Sequence, residues 1–394
     1  MKYLLHLLVL LCLTACNPTE KPDPSAAPDV AADLTTDLRW SPEKTQSYVD
    51  SRPLPLGANY INRAAINQLE MWQAATFTPE QIDEELGWAK AIGMNSMRVY
   101  LHNLVWEEEG DAYLKRIAQY LDIAEKHEIS TTFVLWDAVW NPVASLGIQP
   151  DPRSRVHNSG WVQSPRSQQL MNGDRYFPTA KKYVQAILRH FKDDPRIYAW
   201  DLYNEPDNNN FGKFPNEPKN KLDFSYALMV KTFAWAREVN PSQPLTAGVW
   251  RNFSEDLKPP TGRFNDFQLA HSDIISFHFY DNPERIDYIL PYLETLDRPL
   301  LYTEYVARGT GNTFLSVLPI WAEHQVGAYN WGLVEGKTNT IYPWVSWDST
   351  FTAEPHLWHH DVFRSDGTPY DAQETKLIKE TGKGYSRTAE TDDR

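Results

Sequence analysis

Apolar residues return along this chain with two alternating periods. Short runs rich in β-branched and aromatic residues, such as SMRVYL (96–101), STTFVLW (130–136) and IYAWDLY (197–203), are separated by longer stretches in which apolar positions recur every three or four residues. TPEQIDEELGWAKAIG shows the second pattern most clearly. Thr78 stands at an N-cap position, Pro79 opens the first turn, Gln81 completes a capping box, and Ile82, Leu86 and Ala89 share one face before Gly93. DAYLKRIAQYLDIAEKH (111–127) repeats it with Leu114, Ile117, Leu121 and Ala124. Further helices are predicted over 179–191, 222–239, 284–296 and 313–324, with a less regular stretch between the fifth and sixth strand runs. The other strand-like runs are PLGANYI (55–61), LTAGVW (245–250), IISFHFY (274–280), PLLYTEY (299–305) and VGAYNWGL (326–333). Alternating strands and helices predict parallel βα units. Eight such units over this length predict an α/β fold, a single (β/α)8 TIM barrel. A doubly wound open sheet is the alternative, but no glycine-rich dinucleotide fingerprint follows the first strand.

The ends of the chain read differently. Lys2 followed by the apolar run Leu4 to Leu13 has the form of an export signal, too short to span a membrane. It ends in LTAC, which resembles the lipobox of bacterial lipoproteins and implies a signal peptide over 1–16, with Cys16 as the lipidated first residue. An ordinary secretory signal is the alternative. The expected location is outside the cytoplasm, lipid-anchored to a bacterial membrane on its periplasmic or outer face. Residues 17–39 are proline-rich, acidic and without an aromatic residue, which predicts a flexible tether. The folded domain is expected over 40–385, followed by a disordered tail over 386–394. Both cysteines, Cys12 and Cys16, fall in the leader, so the domain has no disulfide or thiol nucleophile.

Composition narrows the partners. The formal net charge of −14 argues against nucleic acid, whose phosphates need a basic footprint. The chain carries 15 Trp, 20 Tyr and 16 Phe. Most suit a core; a few on strand ends would offer platforms for the apolar faces of sugar rings.

In a barrel, function sits at the C-terminal ends of the strands. Asn-Glu-Pro occurs twice, at 204–206 and 216–218. The first directly follows IYAWDLY and marks Glu205. The second follows the polar NNNFGKF, and its Glu217 reads as a solvated loop carboxylate. Glu304, in PLLYTEY, is a second strand-end carboxylate, with Tyr302 expected on the same side of the strand. Two such glutamates suit glycoside hydrolysis, in which one must be held protonated and the other ionised.

WDLYNEP and LLYTEY, on the fourth and seventh strands, resemble the acid/base and nucleophile motifs of clan A retaining glycoside hydrolases, particularly the family 5 cellulase-like enzymes, over roughly residues 54–350. The resemblance implies Glu205 as acid/base and Glu304 as nucleophile. Arg98 in MRVY would contact the nucleophile, Asn204 bind the 2-hydroxyl, His278 and Tyr280 in SFHFY supply the sixth-strand pair, and Trp331 in YNWG floor the sugar subsite at the cleaved bond. The implied activity is double-displacement hydrolysis of β-linked glycans of mannan, xylan or β-glucan type, with carboxylates about 5 Å apart and neither cofactor nor metal. One departure from the family pattern lies at the third strand, VLWDAVW, which lacks the usual histidine. Trp136, Asp137 and Trp140 occupy that region, and Trp136 and Trp140 are carried as substrate-binding candidates. Trp250 and Trp344 are further stacking candidates, and Glu335 either binds a sugar hydroxyl or is solvated. His359-His360 is an adjacent pair without metal-site spacing, for which a structural or surface role is expected. A non-catalytic glycan-binding lipoprotein on the same scaffold remains the alternative reading, and transglycosylation would use the same residues.

Overall fold

A computed structural model of the chain describes residues 27–30, 38–251 and 262–385. The leader with Cys16, most of the 17–39 segment and the 386–394 tail lie outside the described residues. Eight parallel strands form one sheet: β1 (Leu56–Tyr60), β2 (Ser96–Tyr100), β3 (Ser130–Val134), β4 (Ile197–Asp201), β5 (Leu245–Thr246), β6 (Ile275–His278), β7 (Leu300–Tyr305) and β8 (Gly327–Trp331). Their order is β5-β4-β3-β2-β1-β8-β7-β6, with every paired strand parallel. The remaining seam, between β5 and β6, is closed by the bridge of Val249 to Phe277. Helices lie between strands, and the fold is a (β/α)8 barrel.

The two faces of each strand take different residues. Met97, Val99 and Phe133 are buried in the apolar layer beneath the helices. On the inner face, Tyr329 exchanges hydrogen bonds with Ser96 at 2.8 Å and Thr132 at 3.0 Å. The polar inner face is affordable because its hydroxyls satisfy one another.

Three sequence expectations need correcting here. Thr78 precedes the helix Pro79–Ala91, but its side chain makes no cap bond; its hydroxyl instead accepts from Asn62 Nδ2 at 3.1 Å. The complete capping box is at Thr313 and Ser316, before the helix Phe314–Glu323. The second correction concerns the tether. Within it, Val30 is buried in the main apolar core, so ordered packing begins upstream of Trp40. Val30, with Ala27 packed beside the same core, finds a site that the composition of the segment averages away. Thirdly, β5 is only two residues long, not the six of LTAGVW.

Asp273 compensates for that short strand. Its backbone N–H donates to Leu245 O at 2.7 Å, and its fully buried carboxylate accepts from Leu245 N at 2.8 Å. The same carboxylate takes both terminal nitrogens of Arg237 at 2.8 Å and the Trp40 N–H at 2.8 Å. One side chain therefore ties the seam to a helix and to the N-terminal segment. Asp273→Ala leaves the Arg237 charge, whose side chain is only 9% exposed, without its carboxylate, and equilibrium urea unfolding should show a loss of about 3 kcal/mol.

Candidate active site

Arg98, on the inner face of β2, is fully buried at the C-terminal mouth of the barrel. Burial of a guanidinium demands acceptors for all its donors. Nε and Nη2 form a fork on Asp201 of β4, at 3.0 and 2.8 Å. Nη2 also donates to Asn204 Oδ1 at 2.8 Å, and Nη1 to Asn59 Oδ1 at 2.7 Å. Nη1 reaches Glu304 Oε1 at 2.9 Å. Tyr100 donates to that same oxygen at 2.8 Å, and Tyr280 donates to Oε2 at 2.8 Å. Burial and the neighbouring Glu304 charge push both phenols well above their ordinary range, so they remain donors. Glu304 is thus clasped by three donors.

A bulge aims it there. Along β6 and β7, Phe277 pairs with Tyr302 but His278 pairs with Glu304, so β7 carries one extra residue. Tyr302 consequently does not share a side with Glu304, as strict alternation required. It faces outward, with its ring 4.7 Å from Trp321 of the helix Phe314–Glu323. The insertion reverses the parity of the strand and turns Glu304 into the barrel.

Glu205 is held differently. It follows β4 with φ of 45°, a left-handed conformation that costs a non-glycine residue about 1–3 kcal/mol. Asn208 holds it at two points, donating from its backbone N–H to Glu205 O at 2.9 Å and from Nδ2 to Oε2 at 2.6 Å. The side chain is 11% exposed; burial, reinforced by the charge of Asp207 and opposed by the Asn208 bond, raises its pKa to about 7. His278 Nδ1 lies 2.9 Å from Glu205 Oε1 and 3.5 Å from Glu304 Oε2. Burial lowers its pKa to about 4, leaving a neutral ring between the two carboxyls. Its Nε2 has no hydrogen-bond partner and lies 3.0 Å from where a Cβ on Gly248 would stand.

Ligand atoms of Glu205, His278 and Glu304 all lie within 4.8 Å of one another, the one such group among the described residues. They have the spacing to hold a cation, but Arg98 already occupies the Glu304 side with positive charge.

These groups line a cleft of about 630 Å³, together with Asn204, Tyr280, Trp331, Trp140, Trp250 and Trp344. Trp331 is braced edge-on by Tyr100 and Trp161 at 5.8 and 5.7 Å. Trp136 is the exception among the candidates. It is fully buried, donates to Thr232 at 3.0 Å and packs on Tyr183 at 4.8 Å, because β3 ends at Val134 and the alternation that would have aimed it inward breaks there. Its neighbour Asp137 points inward and accepts from Asn204, Trp161 and Gln68, at 3.0, 2.6 and 3.0 Å. Burial raises Asp137 to about 7. Glu335 is outside the cleft. The histidine pair is no surface feature: His359 and His360 are buried, and His360 lines the cleft.

Glu217 also departs from expectation. Its side chain is only 7% exposed and forms an ion pair with Lys221 at 2.5 Å. It accepts from Gln163 at 2.7 Å and from Asn210 at 2.8 and 3.0 Å. Tyr100, Asn59, Asp201, Asp137 and Asn208 went unassigned in the sequence. Tyr100 had a signal, being two residues beyond Arg98 and so on the same strand face; Asn59 and Asn208 had none.

No protein-family model and no curated protein sequence matches this chain. Solved structures do share its fold. The exo-β-1,4-mannosidase from Opitutaceae bacterium strain TAV5 superposes with a TM-score of 0.56 at 17% identity, over 85% of this chain. This chain spans 60% of that protein's length. The β-1,4-mannanase of the sea hare Aplysia kurodai gives 0.51 at 18% identity, covering 71% of this chain and 88% of its own. The endo-β-1,4-mannanase of Thermotoga petrophila gives 0.52 at 15%, covering 88% and 79%. The barrel is therefore one that these glycoside hydrolases also use.

Asn208 supplies the hydrogen bond that opposes the upward shift of Glu205. In Asn208→Ala the Glu205 carboxyl should titrate about one pH unit higher, read by NMR of ¹³C-labelled glutamate carboxyls. An unchanged or lower titration would contradict that role.

Proposed function

We propose that the protein is a retaining O-glycoside hydrolase acting on β-linked glycans, with Glu205 as acid/base and Glu304 as nucleophile. The separation of the two carboxyls carries this reading. One oxygen of each carboxyl lies within 4.8 Å of an oxygen of the other. Double displacement uses carboxyl groups about 5–5.5 Å apart, whereas inversion needs about 6.5–9.5 Å to admit a water.

Their environments divide the labour. Glu205, raised to about 7, keeps a proton to give to the glycosidic oxygen. Glu304 is held by Arg98, Tyr100 and Tyr280 for attack on the anomeric carbon. In the first step the C–O bond breaks, the leaving sugar takes the Glu205 proton, and an ester forms at Glu304. In the second, Glu205 removes a proton from water, which attacks the anomeric carbon and frees Glu304. Asn204, fixed between Arg98 and Asp137, would bind a ring hydroxyl, and Trp331 would stack on the sugar. Chains of β-1,4-mannan type come first among substrates, since the structural neighbours are named as mannosidases and mannanases. Xylan and β-glucan remain in the class. We also propose export and lipid anchoring at Cys16 on the LTAC motif. Metabolic labelling with an alkyne fatty acid should mark the wild type and not Cys16→Ala.

Glu304→Gln should lose more than about 10⁴-fold in kcat on every substrate. Glu205→Gln should lose about 10²–10⁴-fold on glycans, and far less on a dinitrophenyl glycoside, whose leaving group needs no proton. Glycan binding with no turnover by the wild type would favour the non-catalytic reading. Because the first step uses protonated Glu205, kcat/KM on glycans should fall as pH rises through about 7. The Glu205→Gln profile should lack that limb.

A further inference from the structure

We infer that the protein attacks glycans at a chain end, seating a terminal sugar in a blind pocket. This rests on the hydrolase reading and adds which part of the substrate enters.

A wall closes one side of the mouth. The segment after β3 is bonded directly to the segment after β8: Asn158 N–H donates to Thr338 O at 2.7 Å, and His157 N–H to Ser346 Oγ at 2.9 Å. His157 Nδ1 adds a bond to Tyr342 O at 2.9 Å. In the strand order β3 and β8 flank β2 and β1, so loops that join them must pass over the ends of those two strands. A substrate chain cannot leave by that route. Behind Trp331, the space lined by Asn59, Tyr100, Trp161 and Thr338 amounts to about 10 Å³. That holds about one water and no sugar ring.

A roof completes the closure. The loop after β4 touches the loop after β8 through Lys213 and Asp348 at 2.5 Å and through Phe214 and Trp347 at 5.6 Å. In the strand order β4 and β8 are four positions apart, on opposite sides of the barrel, so these contacts cross its mouth. Trp347 also meets Trp140 at 5.6 Å, and Arg153 from the β3 loop covers its ring at 5.2 Å. The Lys213–Asp348 pair is largely exposed and contributes little, so the aromatic contacts hold the roof. The cleft lining continues in the other direction, to Trp250, Tyr280 and Thr310 beyond β5, β6 and β7. Among the described residues, subsites therefore extend one way from the two glutamates.

The test measures viscosity and reducing ends together during wild-type digestion of soluble glucomannan, xylan and mixed-linkage β-glucan, with an aryl β-glycoside panel alongside. On whichever polymer is cut, reducing ends should accumulate while viscosity stays nearly constant, and chromatography should show a single product length from the first turnovers. An early viscosity collapse with a ladder of products would overturn the inference while leaving the hydrolase reading standing. Failure to cut any polymer or aryl glycoside would remove both.

Discussion

Burial of the Arg98 guanidinium is the constraint on which the mouth of this barrel depends. Water contributes nothing to its solvation, so its donors must be met by acceptors from the protein. They come from Asn59 on β1, Tyr100 on β2, Asp201 at the end of β4, Asn204 just beyond it, and Glu304 on β7. No two adjacent elements could supply that set. Closure of the sheet into a cylinder is what brings strands distant in sequence around one cation, and the cation in turn fixes the direction of Glu304.

The two glutamates owe their difference to backbone geometry. Glu304 is turned inward by an extra residue in β7, into a nest of cationic and phenolic donors. Glu205 sits on a strained residue just past the end of β4, where burial outweighs the Asn208 amide and the Arg98 and Arg251 charges that favour its ionised form. Strain of this kind persists where the surroundings over-determine it. Here the surroundings are identifiable. Lys221, buried, donates to the backbone carbonyls of Asn208 and Ala138 at 2.8 Å each, and pairs with Glu217. Asn208 in turn grips Glu205.

That chain of contacts gives the repeated Asn-Glu-Pro an unexpected sense. The second copy lies in a polar loop and has the composition of solvated chain. Its carboxylate nonetheless gathers Gln163, Asn210 and Lys221, and so anchors the segment that positions the first. Local composition reports average solvation, whereas the worth of one carboxylate depends on which cations and amides the fold delivers to it.

The alternation of short apolar runs with amphipathic stretches pointed to the barrel, because strand and helix periods are local properties and eight βα units have few ways to close; the missing glycine-rich fingerprint set the open sheet below it. Strand-end position likewise singled out Glu205 and Glu304, and the resemblance of the motifs added Arg98. What the periods could not determine was parity at irregularities. A strict two-residue alternation put Tyr302 beside Glu304, and left Trp136 as a ligand candidate beside an Asp137 without a role; a bulge and a strand end reversed both expectations. Nor could they reveal that loops after β3, β4 and β8 meet over the mouth. Those contacts join residues far apart in the chain, and only the closed cylinder, which sets β4 across from β8, makes them neighbours.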